Sequence, residues 1–316
     1  MSGHSYIALC GGVGGSRLAD GLARNLAADK LTIVVNTGDD FDHLGLRICP
    51  DIDTVTYMLA GLVDEIRGWG RANESWAAMD TLAVLDGPTW FNLGDRDLAL
   101  HLWRTHLLRE GHSLSEVTHI IASQLGVRHI IAPVSNNSIR TLLQTDDGEL
   151  TFQDYFVRKR CEPAVTSIRY SGIQDASLNP EVRAAFADPN LRGIIIAPSN
   201  PFLSIGPMLA VSKLRDILRS RRVPCVAVSP LVGGKAVKGP LSKLLTELGY
   251  EQSAAGIISF YSDLIDGFIL DERDQDIPIV GRRPRIFKAD TLMQGRTNRS
   301  RMGQFTLDTI EALYAG

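Results

Sequence analysis

The sequence predicts an α/β protein with a Rossmann-like nucleotide-binding core and a predominantly helical inserted or lid region. Short apolar segments suited to buried strands stand near both ends of the chain, and the first of them runs into a glycine-rich turn and a helical pattern. Between the two sets lies a stretch of short polar turns and helical patterns that holds Trp69, Trp76, Trp90, Phe91 and Trp103. With 316 residues and 44% hydrophobic content, the chain can bury one large core or two joined ones.

Taken in order, SYIALC is a buried strand, the glycines that follow are its outgoing turn, residues 16–28 are a helix, and KLTIVVNTGDD is a second strand ending in polar residues. Strand, turn, helix, strand makes a βαβ unit, whose loops and helix N-terminus meet at the carboxyl edge of a parallel sheet. Residues 1–51 are therefore the first part of the core, residues 52–125 a helical lid or substrate subdomain, and residues 126–316 the rest of the core with C-terminal elements. Within these spans, residues 114–125 are expected as a helix, and HIIAPV and residues 164–171 as strands. LRGIIIAPSNPFLSIGP and RVPCVAVSPLVGGKAVKGP then repeat one pattern, a strand, a Ser-Asn-Pro or Ser-Pro turn, and a helix or glycine-rich loop.

The 33 Lys and Arg against 36 Asp and Glu give a formal charge of -3, which supplies no general attraction to nucleic acid or to an anionic membrane. Cys10, Cys49, Cys161 and Cys225 are far apart and make no short metal-binding pattern, so a reducing interior suits them. The apolar YIALC is too short to span a membrane, and Arg17, Asp20 and Arg24 follow too soon for a secretion signal. A cytoplasmic protein is expected, with no nucleic-acid or membrane partner and with a homodimer left open.

In the turn GGVGGS, the position after Gly12 and Gly14 that would complete G-x-G-x-x-G is Arg17, and no G-K-S or G-K-T follows. A standard dinucleotide turn and a P-loop are both disfavoured. Gly12, Gly14 and Gly15 would still bring backbone N–H groups close to anionic oxygens, Ser16 would cap the helix or donate to phosphate, and Arg17 would add charge-assisted bonds. The competing view is a compact structural turn with a solvent-facing arginine. Further on, NTGDDFDHLGLRICPDIDT crowds Asp39, Asp40, Asp42, Asp51 and Asp53 behind the second strand. Carboxylate oxygens suit Mg2+ and can orient a diphosphate, so Asp39 and Asp40 are expected to act in catalysis and to bind the metal, with turn capping as the alternative for any single aspartate. His43 is a weaker candidate.

GGVGGSRLADGL, NTGDD, CPDIDT, WFNLGDRDLALHL, APSNPFLSIGP and SPLVGGKAVKGP occur in that order along almost the whole chain. In this combination the sequence resembles the 2-phospho-L-lactate transferase family of coenzyme F420 biosynthesis. The resemblance implies transfer of a phospholactyl or phosphoenolpyruvyl group from its guanosine diphosphate ester to the deazaflavin alcohol Fo, with release of GMP. It also implies Asp51 and Arg96 as Fo contacts, with Asp51 expected in catalysis as well, while Asp95, Asp97 and His101 share Arg96's neighbourhood and residues 97 and 101 fall on one helix face. Ser199 and Asn200 in one loop, and Ser229, Gly233, Gly234, Lys235 and Lys238 in the other, suit the guanosine diphosphate ester. Trp90 and Phe91 could flank the deazaflavin or pack in the core. The competing functions are phosphoglyceryl transfer to Fo and nucleotide-sugar binding by a regulatory protein of the gluconeogenesis-factor type.

Overall fold

A computed structural model describes residues 3–67, 70–237, 239–277 and 284–315. Strand β1 (Ser5–Cys10) leads through helix α1 (Gly12–Asn25) to β2 (Leu31–Val35), the expected βαβ start. A hairpin of β3 (Phe41–His43) and β4 (Leu46–Ile48) carries the chain into α2 (Pro50–Leu59). The helix-rich insert continues with α3 (Ala77–Val84), α4 (Asp95–Arg109) and α5 (Leu114–Gln124), and β5 (Ile130–Pro133) returns to the core. Next come β6 (Arg140–Thr145), β7 (Gly148–Thr151) and β8 (Val165–Ser171), a separate antiparallel sheet in the order β7-β6-β8. The second half of the core holds β9 (Leu191–Ile196), β10 (Cys225–Val228), a small hairpin of β11 (Leu231–Val232) and β12 (Lys235–Ala236), then β13 (Gly267–Asp271) and β14 (Arg285–Ala289). A 20-residue helix, Gly295–Tyr314, ends the described chain.

The main sheet runs β14-β13-β10-β9-β1-β2-β5, and every neighbouring pair is parallel. Chain order climbs from β1 outward to β5, then jumps back to β9 beside β1 and climbs the other way. This is the doubly wound Rossmann order, and it places a topological switch point between β1 and β9, where the loops leaving the two strands must diverge. The strands β2, β10 and β13 are buried along their whole length, as helices on both faces require. Along β1, Ile7 and Leu9 face one core with Met208, Leu244 and Ile257, whereas Tyr6, Ala8 and Cys10 face the other. That second core includes Leu18 and Leu22 of α1, Val55 of α2, and Met302 and Ile310 of the C-terminal helix.

Helix α1 begins at Gly12, four residues before the expected start. The reversal is finished within Gly11 and Gly12, so Gly14 and Gly15 already belong to the helix. Helix α2 packs against α1 through the shared core, while Tyr57, Met58, Leu100, Leu107, Val117 and Ile121 tie α2, α4 and α5 together. Trp69 lies outside the described residues.

Candidate active site

The site is assembled where β1, β2 and β9 end. From the loop after β1, the N–H of Gly11 donates to Ser199 Oγ at 3.1 Å, and that hydroxyl donates back to the Gly11 carbonyl at 2.8 Å. Gly12, at φ +64°, donates its N–H to Asp51 Oδ1 at 2.7 Å. The other oxygen of Asp51 accepts from Asn36 Nδ2 at 2.9 Å, and Asn36 Oδ1 in turn accepts from Gly38 N at 2.8 Å. Pro50 starts α2 with the fixed φ of a first helical position, which sets Asp51 in the first turn and aims its carboxylate at the end of β1.

The glycines serve close packing here. A Cβ on Gly14 would stand 2.3 Å from the Pro198 carbonyl oxygen, and one on Gly15 would stand 2.5 Å from Ser199 Oγ. The bend therefore seats the loop after β9 and receives Asp51. In that loop Asn200 accepts from the N–H groups of Phe202 and Leu203, at 2.9 and 3.1 Å, and so caps the turn Pro201–Ile205. Ser199 and Asn200 thus hold the loop's shape with their side chains.

Asp39 and Asp40 follow β2 and are 5% and 6% exposed. The Oδ1 atom of each has no hydrogen-bond partner among the described residues. Burial pushes the Asp39 carboxyl well above its ordinary range, and the charges of Asp51 and Asp40 push the same way. Burial also raises Asp40 to about 8, against the opposing pull of Cys49, Arg104 and Arg47. Asp51 is raised by burial to about 6, with the bonds from Asn36 and Gly12 opposing. Three carboxyl groups thus share a site that resists their joint ionisation.

Beside Asp39 and Asp40 opens a cleft of about 340 Å³, lined also by Trp90, Arg140, Gln153 and Arg158. The Arg158 guanidinium lies 4.0 Å from the centre of the Trp90 ring. Trp90 is part of an aromatic group with His43, 5.3 Å away, and Phe91, 5.6 Å away. Burial and the nearby Arg158 charge lower the His43 pKa, which favours the neutral ring.

A buried polar network supports this wall from α4. Arg104, 2% exposed, reaches Asp53 Oδ2 through Nη1 at 3.1 Å and Asp53 Oδ1 through Nη2, and its Nη1 lies 3.2 Å from His101 Nδ1. His101 Nε2 is 3.4 Å from Asp97 Oδ1, which also accepts from the Tyr57 hydroxyl at 2.6 Å. Asp97 and His101 do share a helix face, as expected. Burial works to raise Asp97, yet its bonds with His101 and Tyr57 hold it below the usual carboxylate range. Asp95 instead caps α3, accepting from the N–H groups of Ala77 and Ala78. Arg96 is exposed at the start of α4 and does not line the cleft; its backbone N–H donates to Glu74 at 2.8 Å. Asp53 was expected only as one member of the acidic cluster, and Arg104 was not expected to carry a role in the site.

Arg17 is half-buried on α1 with Arg299 and Glu65 as its charged neighbours. Burial, followed by the Arg299 charge, lowers its pKa. Beyond β10, Ser229 Oγ accepts from Leu231 N at 3.1 Å, and Gly233 and Gly234, both at positive φ, form the two-residue turn between β11 and β12. Gly234 donates its N–H to Asp274, and Lys235 is exposed on β12. Lys238 lies outside the described residues. Among the described residues, no group of three or more His, Cys, Asp or Glu side chains could hold a metal ion, and no helix is long and apolar enough to cross a membrane.

A doubly wound sheet with polar loops converging on its switch point defines an α/β protein of the Rossmann-like, ligand-binding class. Residues 7–300 match the family model described as 2-phospho-L-lactate transferase CofD, and the chain belongs to this transferase family. It is 37% identical over 289 residues to a 2-phospho-L-lactate transferase of Methanosarcina mazei, with 91% of this chain and 94% of the relative covered. It is 39% identical over 279 residues to a phosphoenolpyruvate transferase of Streptomyces avermitilis, with 86% of each covered. Among solved structures, a upf0052 family protein of Bacillus halodurans shares the fold at a TM-score of 0.56 and 17% identity, covering 89% of this chain and 83% of that one.

Proposed function

We propose that the chain transfers a phospholactyl or phosphoenolpyruvyl group from its guanosine diphosphate ester to the primary alcohol of Fo, releasing GMP and forming a phosphodiester. Membership of the transferase family makes it an enzyme of this general kind. The observation that carries the site assignment is the meeting of Asp39, Asp40 and Asp51 at the carboxyl edge of the sheet, beside a cleft walled by Trp90. Relatives named for lactate and for phosphoenolpyruvate transfer match almost equally well, which supports keeping both donors.

In this mechanism Asp51 takes the proton of the Fo hydroxyl. A pKa of about 6 leaves it ionised at neutral pH yet basic enough to accept a proton. Fo lies at the Trp90 side of the site, against the edge of the ring whose face carries Arg158. The guanosine diphosphate lies across the switch point, with Arg17 on one side and the Ser199–Asn200 and Ser229–Lys235 loops on the other. Asp39 and Asp40 fit Mg2+ by donor chemistry, since each is buried with an unpaired oxygen and their joint ionisation calls for a cation. When bound, the metal would neutralise charge on the transferring and leaving oxygens. A cytoplasmic setting belongs to the same proposal, supported by four free cysteines.

Purified protein incubated with Fo, Mg2+ and the lactyl, enolpyruvyl and glyceryl esters of guanosine diphosphate should release GMP and form an Fo adduct with the first two in preference to the third. Binding without turnover of any ester, where a known transferase is active, would overturn the enzymatic assignment and favour a regulatory nucleotide-binding role. Full turnover by metal-depleted protein would overturn the role of Mg2+.

A further inference from the structure

The proposed donor carries a carboxylate on its acid as well as a diphosphate, yet Asp39, Asp40 and Asp51 are all acidic. Something cationic has to receive that carboxylate. Among the described residues, the cationic side chains lining the cleft beside Asp39 and Asp40 are Arg140, at the start of β6, and Arg158, in the turn Asp154–Arg158. Both come from the antiparallel unit that follows β5, which none of the sequence motifs covers.

Their present partners hold them loosely. Arg140 Nη2 is 3.4 Å from Asp42 Oδ2, and the other Asp42 oxygen is 3.2 Å from Arg47 Nε. Arg158 Nε is 3.2 Å from Asp154 Oδ1, while Asp154 Oδ2 accepts from the Thr151 hydroxyl at 2.7 Å. The side chains of both arginines are 51% exposed, and ion pairs so exposed contribute little and exchange readily. Each guanidinium therefore keeps N–H groups for a ligand. Trp90 holds Arg158 over the cleft by its ring face, an arrangement that fixes the planar fork without consuming its donors.

Resting on the proposed function, we infer that Arg140 and Arg158 form the subsite for the carboxylate of the donor's acid, with Trp90 positioning Arg158. The diphosphate belongs at the switch point between β1 and β9. The cleft lies to the other side of that point, beyond the end of β2, and its volume of about 340 Å³ leaves ample room for a three-carbon acid. Lactyl and enolpyruvyl groups both present this carboxylate, so the subsite admits either and selects against an ester that lacks it.

The test is equilibrium binding by calorimetry in the presence of Mg2+ and the absence of Fo. The lactyl ester of guanosine diphosphate is compared with the isopropyl ester, in which a methyl group replaces the carboxylate. Wild-type protein should prefer the lactyl ester by about tenfold or more, the factor carried by one charge-assisted hydrogen bond. Arg140→Gln and Arg158→Gln should shrink that preference toward unity and leave isopropyl binding within about twofold. Arg158→Lys, which retains charge but not the fork, should fall between. Equal wild-type affinity for the two esters, or parallel weakening of both in the variants, would overturn the assignment and point to a contact with the diphosphate instead. Turnover with Fo is measured separately on the same preparations, so failure of transfer is distinguishable from failure of carboxylate recognition.

Discussion

The N–H of Gly12 donates to the carboxylate of Asp51 at 2.7 Å, across 39 residues of sequence. In a dinucleotide fold the first glycine turn directs such groups at a pyrophosphate. Here an aspartate from the following helix takes that place, which accounts for a glycine turn whose spacing matches neither the dinucleotide fingerprint nor the P-loop. The turn supports a carboxylate at the end of β1, where acid–base chemistry at a hydroxyl can use it.

Asp51→Asn should therefore lower kcat by about 100-fold or more if Asp51 is the general base. In the wild type, kcat/KM should fall with decreasing pH once the pH drops below about 6, because protonation removes the base. The Asn variant should lose that limb of the profile. A pH–rate series on both proteins checks this, and an unchanged acid limb in the variant would exclude Asp51 as its source.

Asp40 links the site to stability. Its pKa in the folded chain is about 8, above the roughly 3.9 of a free aspartate, so between those values the folded state binds a proton that the unfolded state releases. The stability contributed by this group is fully present below about pH 4 and is lost as pH rises through about 8. Urea midpoints for metal-free protein should show this group's contribution falling from pH 5 to pH 8, and Asp40→Asn should flatten the fall. Matching slopes in the two proteins would count against it.

Much of this architecture was legible because parallel strands buried on both faces are written as continuous apolar runs, such as LTIVV and GIII, followed by polar turns. Asp51 was singled out only by the resemblance that CPDIDT carries, whereas the Asp97–His101 pair was legible through helical spacing. Arg104 was not. In DRDLALHLWRTHLLR it looks like any surface arginine of a helix, and its partner Asp53 is 51 residues away. Periodicity assigns a face but cannot find a partner on another element. The antiparallel sheet did leave a signal, since RTLLQT alternates inward and outward residues ahead of a short turn, but no motif drew notice to it.

Close packing at the glycine turn gives a sharper expectation than flexibility would. Gly14→Ala would put its Cβ 2.3 Å from a backbone oxygen of Pro198, so either α1 or the loop after β9 must move. A loss of about 1–3 kcal/mol is expected, in the range of other overpacked sites. Since the displaced loop also shapes the proposed nucleotide site, the donor KM should rise with it. Denaturant melts and donor KM values for the variant check both effects, and a variant with wild-type stability would show that the contact relaxes freely.

Arg104 offers a test of the support behind Asp40. Arg104→Met removes the partner of Asp53, which is 6% exposed, and should cost about 3–5 kcal/mol by leaving a buried charge unpaired. Asp53→Leu in the same background should recover much of that loss, because replacing both members of a buried ion pair by apolar groups removes the unpaired charge. Activity should behave differently. The Arg104 charge acts to lower the Asp40 pKa and the smaller effect of the Asp53 charge acts to raise it, so the double variant, having lost the larger of the two, should be stable yet hold Asp40 somewhat more strongly protonated and bind Mg2+ more weakly. A double-mutant cycle in stability, run beside Mg2+ titrations of turnover, separates the two effects. If the double variant regained both stability and wild-type metal dependence, Arg104 would be a structural residue alone.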